Sequence, residues 1–379
     1  MRILLTGGAG FIGRTWIREN IDKRDVDKIY IIDSLLPQVH TTQDFFMNNC
    51  EDSRIEFVHS SIQGLDKNRL IDILRDCDSV VHLASDTGVG QSMYELVRYT
   101  ENNVVATAAL LEAIPVAWDG NFLNKRLILS SSRAVYGEGA YFCDSCKGTV
   151  DNTDSKDKWD PICSTCGNWL RPIPTPVDTR TNASSIYAST KLSQEHMVQQ
   201  ISKALGIRYS ILRFFNVFGP GQALGNPYTG IMTTFLLRAM QMKPLYVFED
   251  GCQTRDFVFI DDVIAAITSA LDCNVSGIYN IGTGIGISIQ DMARLVSAEF
   301  DMGPDGVQIT GRHRVGDIRH CTADITATTR DLNWYPQYTA TAGMTKYIKW
   351  FKQQTVNVAD DSEKAWQELV QRGLGKTML

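Results

Sequence analysis

Short runs of consecutive apolar residues recur through the first half of the chain, separated by stretches with helical spacing. Arg2-Ile3-Leu4-Leu5, Lys28-Ile29-Tyr30-Ile31-Ile32, Ile55-Glu56-Phe57-Val58, Ser79-Val80-Val81-His82-Leu83 and Arg126-Leu127-Ile128-Leu129-Ser130 are short, rich in β-branched residues and not alternating. That is the pattern of parallel strands covered on both faces. Arg69–Asp76 and Asn103–Ala113 between them carry Leu, Ile, Val and Ala at helical intervals. Strand and helix in alternation predict an α/β fold built on a doubly wound parallel sheet. A further strand, Arg208–Arg213, follows a helix after Tyr187, and beyond Phe214 the pattern loosens into Gly- and Pro-rich loops. That second half is expected to form a smaller α/β lobe over the C-terminal ends of the strands. Ser362–Arg372 reads as an amphipathic helix.

Composition narrows the class. The 379 residues are 44% apolar and 21% charged, enough for a continuous core and too apolar for a disordered chain. Thirty-seven basic against 43 acidic residues leave a formal charge of −6, with no long like-charge run. Nucleic acid and anionic membrane are therefore not expected partners. No apolar run reaches the roughly 18 residues of a membrane span. Met1–Leu5 leads into a glycine loop, not a secretory cleavage region. The expected compartment is the cytoplasm, where the nine cysteines stand as thiols or metal ligands.

The first strand ends in Thr6-Gly7-Gly8-Ala9-Gly10-Phe11-Ile12-Gly13 and a helix-compatible run follows. Glycines there allow a tight turn and let backbone N–H groups and a helix N-terminus approach a pyrophosphate. The second strand closes on Asp33, suited to accept hydrogen bonds from an adenosine ribose and to repel a 2′-phosphate. The order strand, loop, helix, strand, acid predicts a Rossmann domain over residues 1–213 that binds NAD rather than NADP, with 255–281 returning to it and 214–379 forming the second lobe.

Tyr187 and Lys191 stand four residues apart, which on a helix puts phenol and ammonium on one face. Such a pair is weak evidence alone. It gains weight from Leu129-Ser130-Ser131-Ser132, where a buried strand runs into serines at the end of the sheet that binds ligands. Ser132 is expected beside Tyr187, whereas Ser130 and Ser131 are expected to cap the following turn.

Cys143-x-x-Cys146 and Cys163-x-x-Cys166 are separated by sixteen residues, the spacing of a tetrathiolate zinc site. Four thiolates leave no open coordination position, so the zinc would be structural. Disulfides are the alternative and the cytoplasmic reading disfavours them. The insertion, residues 138–176, leaves the chain after Ser132 and returns through Pro172, Pro174 and Pro176 before Tyr187. It is expected to shape the ligand pocket or a subunit contact. Cys50, Cys77, Cys252, Cys273 and Cys321 read as small buried residues.

Taken together, these motifs resemble the extended short-chain dehydrogenase/reductases of the nucleotide-sugar epimerase/dehydratase group. Val81-His82-Leu83-Ala84, Asn102-Asn103-Val104, Leu212–Gly221, Arg255–Val263 and Arg314-Val315-Gly316-Asp317 complete the likeness in the family's order. The resemblance implies cofactor contacts from Gly7, Gly10, Phe11, Ile12, Gly13, Asp33, Ser61, Ile62, Leu83, Ala84, Asn103, Tyr187 and Lys191. Tyr187 would be the general base, its pKa lowered by Lys191 and the nicotinamide, with Ser132 on the reacting oxygen. Arg255 and Arg314 would hold the substrate diphosphate, Asn216 and Asn226 the nucleotide sugar. Where relatives place an aspartate against adenine, this chain has Ser61.

Relatives that eliminate water carry an Asp-Glu pair where this chain has Arg133-Ala134, and decarboxylating relatives carry a glutamate at Ala134's position. The implied reaction is 4-epimerisation through a 4-keto sugar. A 4-keto-sugar reductase is the competing enzyme and a nucleotide-binding regulator the non-enzymatic alternative. The cysteine knuckles, Pro-x-Pro-Thr-Pro, Asn226-Pro227-Tyr228-Thr229-Gly230 and Phe248-Glu249-Asp250-Gly251 resemble the dTDP-L-rhamnose 4-epimerase-like subgroup. The resemblance also implies a homodimer, formed through the Tyr187 helix and the one starting near Asn103. Ala106, Ala108, Ala109 and Leu110 could build that face or pack on the sheet.

Overall fold

Seven strands make one wholly parallel sheet in the computed structural model, which describes residues 1–40, 52–151, 153, 156–157, 159–226, 228, 230–354 and 360–378. They are β1 (Arg2–Thr6), β2 (Lys28–Asp33), β3 (Ile55–His59), β4 (Ser79–His82), β5 (Arg126–Ser132), β6 (Arg208–Phe214) and β7 (Gly277–Ile281). Their spatial order is β7-β6-β5-β4-β1-β2-β3. The chain starts in the middle, winds out to β3, crosses back to β4 and winds the other way. The crevice between β1 and β4, where the winding reverses, is where such sheets bind ligands.

The unalternating apolar runs have a direct cause. Ile3, Leu5, Ile29, Ile31 and Val81 feed the core on one face of the sheet. Leu4, Tyr30, Ile32, Val80 and Leu129 feed the other. Each fully buried Leu or Ile is worth about 1.5–3 kcal/mol over an exposed one. Helix α1 (Phe11–Asn20) covers the first face with Trp16 and Ile17. On the opposite face lie α2 (Lys67–Asp76), α3 (Ala106–Trp118) and α4 (Ile186–Leu205), through Leu70, Leu110 and Val198 among others. Helix α5 (Ile260–Asp272) joins α1 through Val263 and Ile267.

Helix α3 starts later than its spacing predicts. Thr100–Val105 forms a π-helical turn first, so Asn103 sits in that turn. Ala106 and Leu110 pack onto the sheet, 2% and 0% exposed, which resolves their two readings in favour of the core. Helix α4 has the start and stop its sequence suggests. The Ser185 hydroxyl accepts from the Ala188 N–H, and Gly206 closes it at φ +73°.

A second sheet joins Asn216–Phe218, Thr254–Phe259, Gly286–Ser288 and His320–Cys321. The chain then returns to the main sheet through α5 and β7. Ala140–Cys143 pairs with Gly148–Asp151 and Arg171–Pro172 in a small antiparallel sheet. Ser362–Gln371 is helical, and Gly375–Thr377 pairs antiparallel with Arg312–Arg314. Two cysteines depart from expectation. Cys252 is exposed beside the Asp250 turn, and Cys273 is half-exposed because it ends α5. Cys77 and Cys321 are buried, and Cys50 lies outside the described residues.

Candidate active site

A cleft of about 430 Å³ opens at the C-terminal ends of the strands, within the range of small-molecule sites. Gly7, Gly10, Phe11, Ile12 and Gly13 form one end. Gly7 has φ +68°, and a Cβ on it would lie 2.7 Å from the Ala84 nitrogen. A Cβ on Gly13 would lie 2.5 Å from the Gly8 Cα. The glycines therefore bring the loop against β4 and seat α1 beneath it. No side chain caps the N-terminus of α1, so its first N–H groups remain for a ligand anion.

Asp33 reaches the same wall from the end of β2. Its carboxylate accepts from the Ala9 N–H at 3.1 Å and the Leu35 N–H at 2.9 Å. Ser61, Ile62, Leu83 and Ala84 line the cleft as well. Ser61 accepts from the Gly64 N–H at 3.1 Å through its hydroxyl. Asn103 is placed differently. It is fully buried behind the wall, and its amide donates to the Asp86 carbonyl and Thr190 Oγ1 while accepting from Asp86 N–H and Ser85 Oγ. Its neighbour Asn102 lines the cleft.

Ser132 ends β5, and Tyr187 stands in the first turn of α4; both face the cleft. Burial raises the Tyr187 phenol above its ordinary value, while the Ser132 hydroxyl and the Arg133 charge pull it back. Lys191 is engaged by the backbone of β5. Its ammonium donates to the Ser130 carbonyl at 2.8 Å, and burial lowers it to about 7 against the opposing charge of Glu195. Glu195 in turn holds Arg213 through two bonds, at 2.9 and 2.7 Å.

The serine cluster also differs from expectation. Because β5 runs through Ser132, it is Ser132 that caps the next turn, accepting from the Ala134 N–H at 3.1 Å. Ser130 instead donates to the His82 carbonyl, and Ser131 to Glu195. The first is an interior tie between strands β5 and β4, the second between β5 and helix α4.

At the other end, Asn216 and Asn226 line the cleft. Asn226 accepts from the Gln38 amide and the Tyr228 N–H, both at 3.1 Å. Arg255 and Arg314 stand off that wall. Arg255 is 8% exposed and donates to the carbonyls of Thr254, Ile318 and Arg319. Arg314 pairs with Asp317 at 3.0 Å. Tyr228, within the Asn226–Gly230 segment singled out from the sequence, lines the cleft too, and so do Arg133 and Gln222, to which sequence reasoning gave no such place. The signal for Arg133 is its adjacency to Ser132 at the end of β5.

Four sulfurs come together in the insertion. Cys143, Cys146, Cys163 and Cys166 hold their Sγ atoms within 4.8 Å of one another. Cys143 to Cys166 is 3.5 Å and Cys146 to Cys163 3.9 Å. Tetrahedral zinc at the usual Zn–S distance of about 2.3 Å requires edges of about 3.8 Å.

Residues 163–282 match the model of the NAD dependent epimerase/dehydratase family, and residues 4–143 that of GDP-mannose 4,6 dehydratase. The chain is 35% identical to a dTDP-L-rhamnose 4-epimerase of Burkholderia thailandensis over 360 residues, 93% of this chain and 95% of that one. It belongs to the NAD-dependent epimerase/dehydratase family. A putative UDP-glucose 4-epimerase of Methanocaldococcus jannaschii is 29% identical over 92% of this chain and 98% of its own length. Among solved structures, the UDP-glucuronic acid 4-epimerase of Bacillus cereus, in complex with UDP-glucuronic acid and NAD, superposes with a TM-score of 0.74 at 27% identity. That match covers 93% of this chain and 99% of the other. As an epimerase/dehydratase family member, the chain has its glycine loop, Asp33, Ser132 and Tyr187 in one cleft. No helix among the described residues is long and apolar enough to cross a membrane.

Proposed function

We propose that this chain is an NAD-dependent nucleotide-sugar 4-epimerase acting on a dTDP- or UDP-linked hexose, a 6-deoxyhexose in the first instance. The observation that carries the reading is the convergence of Ser132 and Tyr187 on the cleft that the glycine loop and Asp33 also line. The 35% likeness to a dTDP-L-rhamnose 4-epimerase supports the substrate class. The glycine cradle, the uncapped helix and the Asp33 carboxylate suit a dinucleotide with a free ribose 2′-hydroxyl. When bound, NAD supplies a reversible acceptor for the hydrogen and electron pair of a sugar C–H bond.

Tyr187, as phenolate, removes the proton of the C4 hydroxyl as the C4 hydrogen departs with its electrons. Ser132 holds the oxygen as it becomes a carbonyl, and Lys191 steadies the cofactor's ribose. The 4-keto sugar turns within the cleft, held by Asn216 and Asn226, which line it. Reduction on the opposite face, with Tyr187 returning the proton, gives the C4 epimer without net redox change. Ala134 lines the cleft where dehydratases carry a carboxylic acid, so elimination lacks its proton donor.

The reading extends to the rest of the molecule. Residues 1–213 with 255–281 act as the NAD domain, 214–379 as the nucleotide-sugar lobe and 138–176 as a zinc module. The sulfur spacing supports a structural zinc, to be measured as one equivalent by elemental analysis of the purified protein. Val97 and Val116, 70% and 56% exposed beside α4, support a homodimer through that side. Free thiols fit a cytoplasmic enzyme. The deciding experiment follows C4 configuration by NMR across dTDP-, UDP- and GDP-sugars without added NADH. Inversion with no cofactor consumed is expected; turnover that stops when NADH is withheld would identify a reductase instead.

A further inference from the structure

Arg133 is the first residue of the short turn after β5, in the cleft wall between Ser132 and Ala134. Its Nε donates to Asn216 Oδ1 at 2.9 Å. Among the described residues, no carboxylate forms an ion pair with it. The acid nearest in effect, Asp317, is already paired with Arg314. Arg255 pushes against it from the second sheet, and burial together with that repulsion lowers it to about 10. A guanidinium held in such a place without a counter-ion favours any negative charge that forms beside it.

One group in its neighbourhood can become an anion where the chemistry needs one. We propose that Arg133 is a positioning residue for Tyr187: anchored on Asn216, its guanidinium supplies the positive charge that favours the phenolate. The inference rests on the epimerase reading for the use made of that phenolate, not for the charge arrangement itself. Arg133 and Ser132 come from β5 and its turn, and Tyr99 from the short helix Leu96–Tyr99. Lys191 and Glu195 lie further along α4, and Arg255, Asp317 and Cys321 face Arg133 from the second lobe. Lys191 is held to the Ser130 carbonyl and answers to Glu195. Arg133, next to Ser132 in the wall that Tyr187 also lines, lends its charge to the phenolate.

The test is the pH profile of the NAD-loaded enzyme. Removing the charge disfavours the phenolate, so the acidic limb of kcat should move to higher pH in Arg133→Gln. A shift of about one unit makes kcat at pH 7 fall about tenfold and recover under alkaline conditions. Arg133→Lys keeps the charge and should keep the limb in place. Asn216→Asp sets a carboxylate on the guanidinium and should shift the limb as Arg133→Gln does, which guards against a variant that misfolds. Phenolate absorbance of the NAD-loaded protein without sugar, with Tyr187→Phe as blank, reads the same ionisation independently of turnover. If the phenol titrates in Arg133→Gln and Asn216→Asp as it does in wild type, the inference is overturned. If it shifts while no nucleotide sugar is epimerised, the inference stands and the proposed function falls.

Discussion

The two ends of the cleft are built by different means. At the cofactor end, the glycine loop and Asp33 lie at strand ends, and their partners are mostly backbone groups: Gly7 N–H on the Ile32 carbonyl, Asp33 on the N–H groups of Ala9 and Leu35. At the substrate end and in the lobe beyond it, the ties run between side chains distant in sequence. Arg319, 1% exposed, ties Asp160 of the insertion to Glu249 and Asp250. Tyr94, Tyr228 and Glu368 meet across three separate segments. A strand end positions chemistry by geometry that the backbone supplies anyway, whereas the distal wall depends on pairings that single substitutions can undo. Damage at one end should therefore read out as lost chemistry, and at the other as lost stability and substrate affinity.

The sharpest separation is Tyr187→Phe. It removes the proton acceptor while leaving the glycine loop and Asp33 untouched, so kcat should fall about 10²- to 10⁴-fold with NAD content unchanged. Turnover within a few-fold of wild type would show that the two ends do not divide chemistry from binding in this way.

Arg319→Met strikes the other end. It leaves Glu249 without a partner in a place where burial already raises its pKa, and removes one side-chain tie between the insertion and the second lobe. Breaking a buried pair on one side costs about 3–5 kcal/mol. Chemical denaturation should record that loss, with NAD retained by the protein that remains folded. A loss below about 1 kcal/mol would make the network incidental.

A third effect tests the cofactor end through pH. His82 is buried under the glycine loop, with Nδ1 at 2.7 Å from Thr6 Oγ1 and Nε2 at 2.8 Å from Thr107 Oγ1. Burial, helped by the charge of Lys191, lowers it to about 3 from 6.5. Between those values the unfolded chain binds a proton that the folded protein does not, so stability falls as pH drops from 6.5 towards 3. The slope from this one site approaches 1.4 kcal/mol per pH unit. His82→Gln keeps a hydrogen-bonding side chain without the titration and should flatten that part of the profile. An unchanged acid slope would mean other groups govern it.

The same division explains what could be read from sequence. The strands, the glycine loop, Asp33 and the four cysteines are legible because their signals are local: apolar runs, φ-permissive residues, fixed spacings. Ser132 is legible as a strand end, but the capping role expected of Ser130 and Ser131 falls to Ser132, because β5 extends further than its apolar run. Asn103 and Arg255 carry recognisable motifs, yet the fold turns their polar atoms onto backbone carbonyls. That orientation depends on a π-helical turn and on the course of residues 318–319, which no local pattern announces. Tyr94, Tyr228 and Glu368 have no shared motif at all; only folding brings them together.

That trio sets the smallest prediction. Glu368 Oε2 accepts from Tyr228 at 3.0 Å and from Tyr94 at 3.2 Å, and Arg372 holds its other oxygen at 3.1 Å. Tyr228 lines the cleft, so the C-terminal helix reaches the substrate end through one carboxylate. Glu368→Gln leaves an acceptor for the two phenols but removes its charge, and with it the ion pair to Arg372. A hydrogen bond to a charged group contributes about 1.5–3 kcal/mol against about 1 for a neutral one, and this exposed carboxylate belongs at the lower edge. KM for the nucleotide sugar should rise two- to five-fold, on the order of 0.5–1 kcal/mol, with kcat and NAD content unchanged. If kcat falls instead, the helix acts on the chemistry at Tyr187, and the two ends of the cleft are coupled rather than separable.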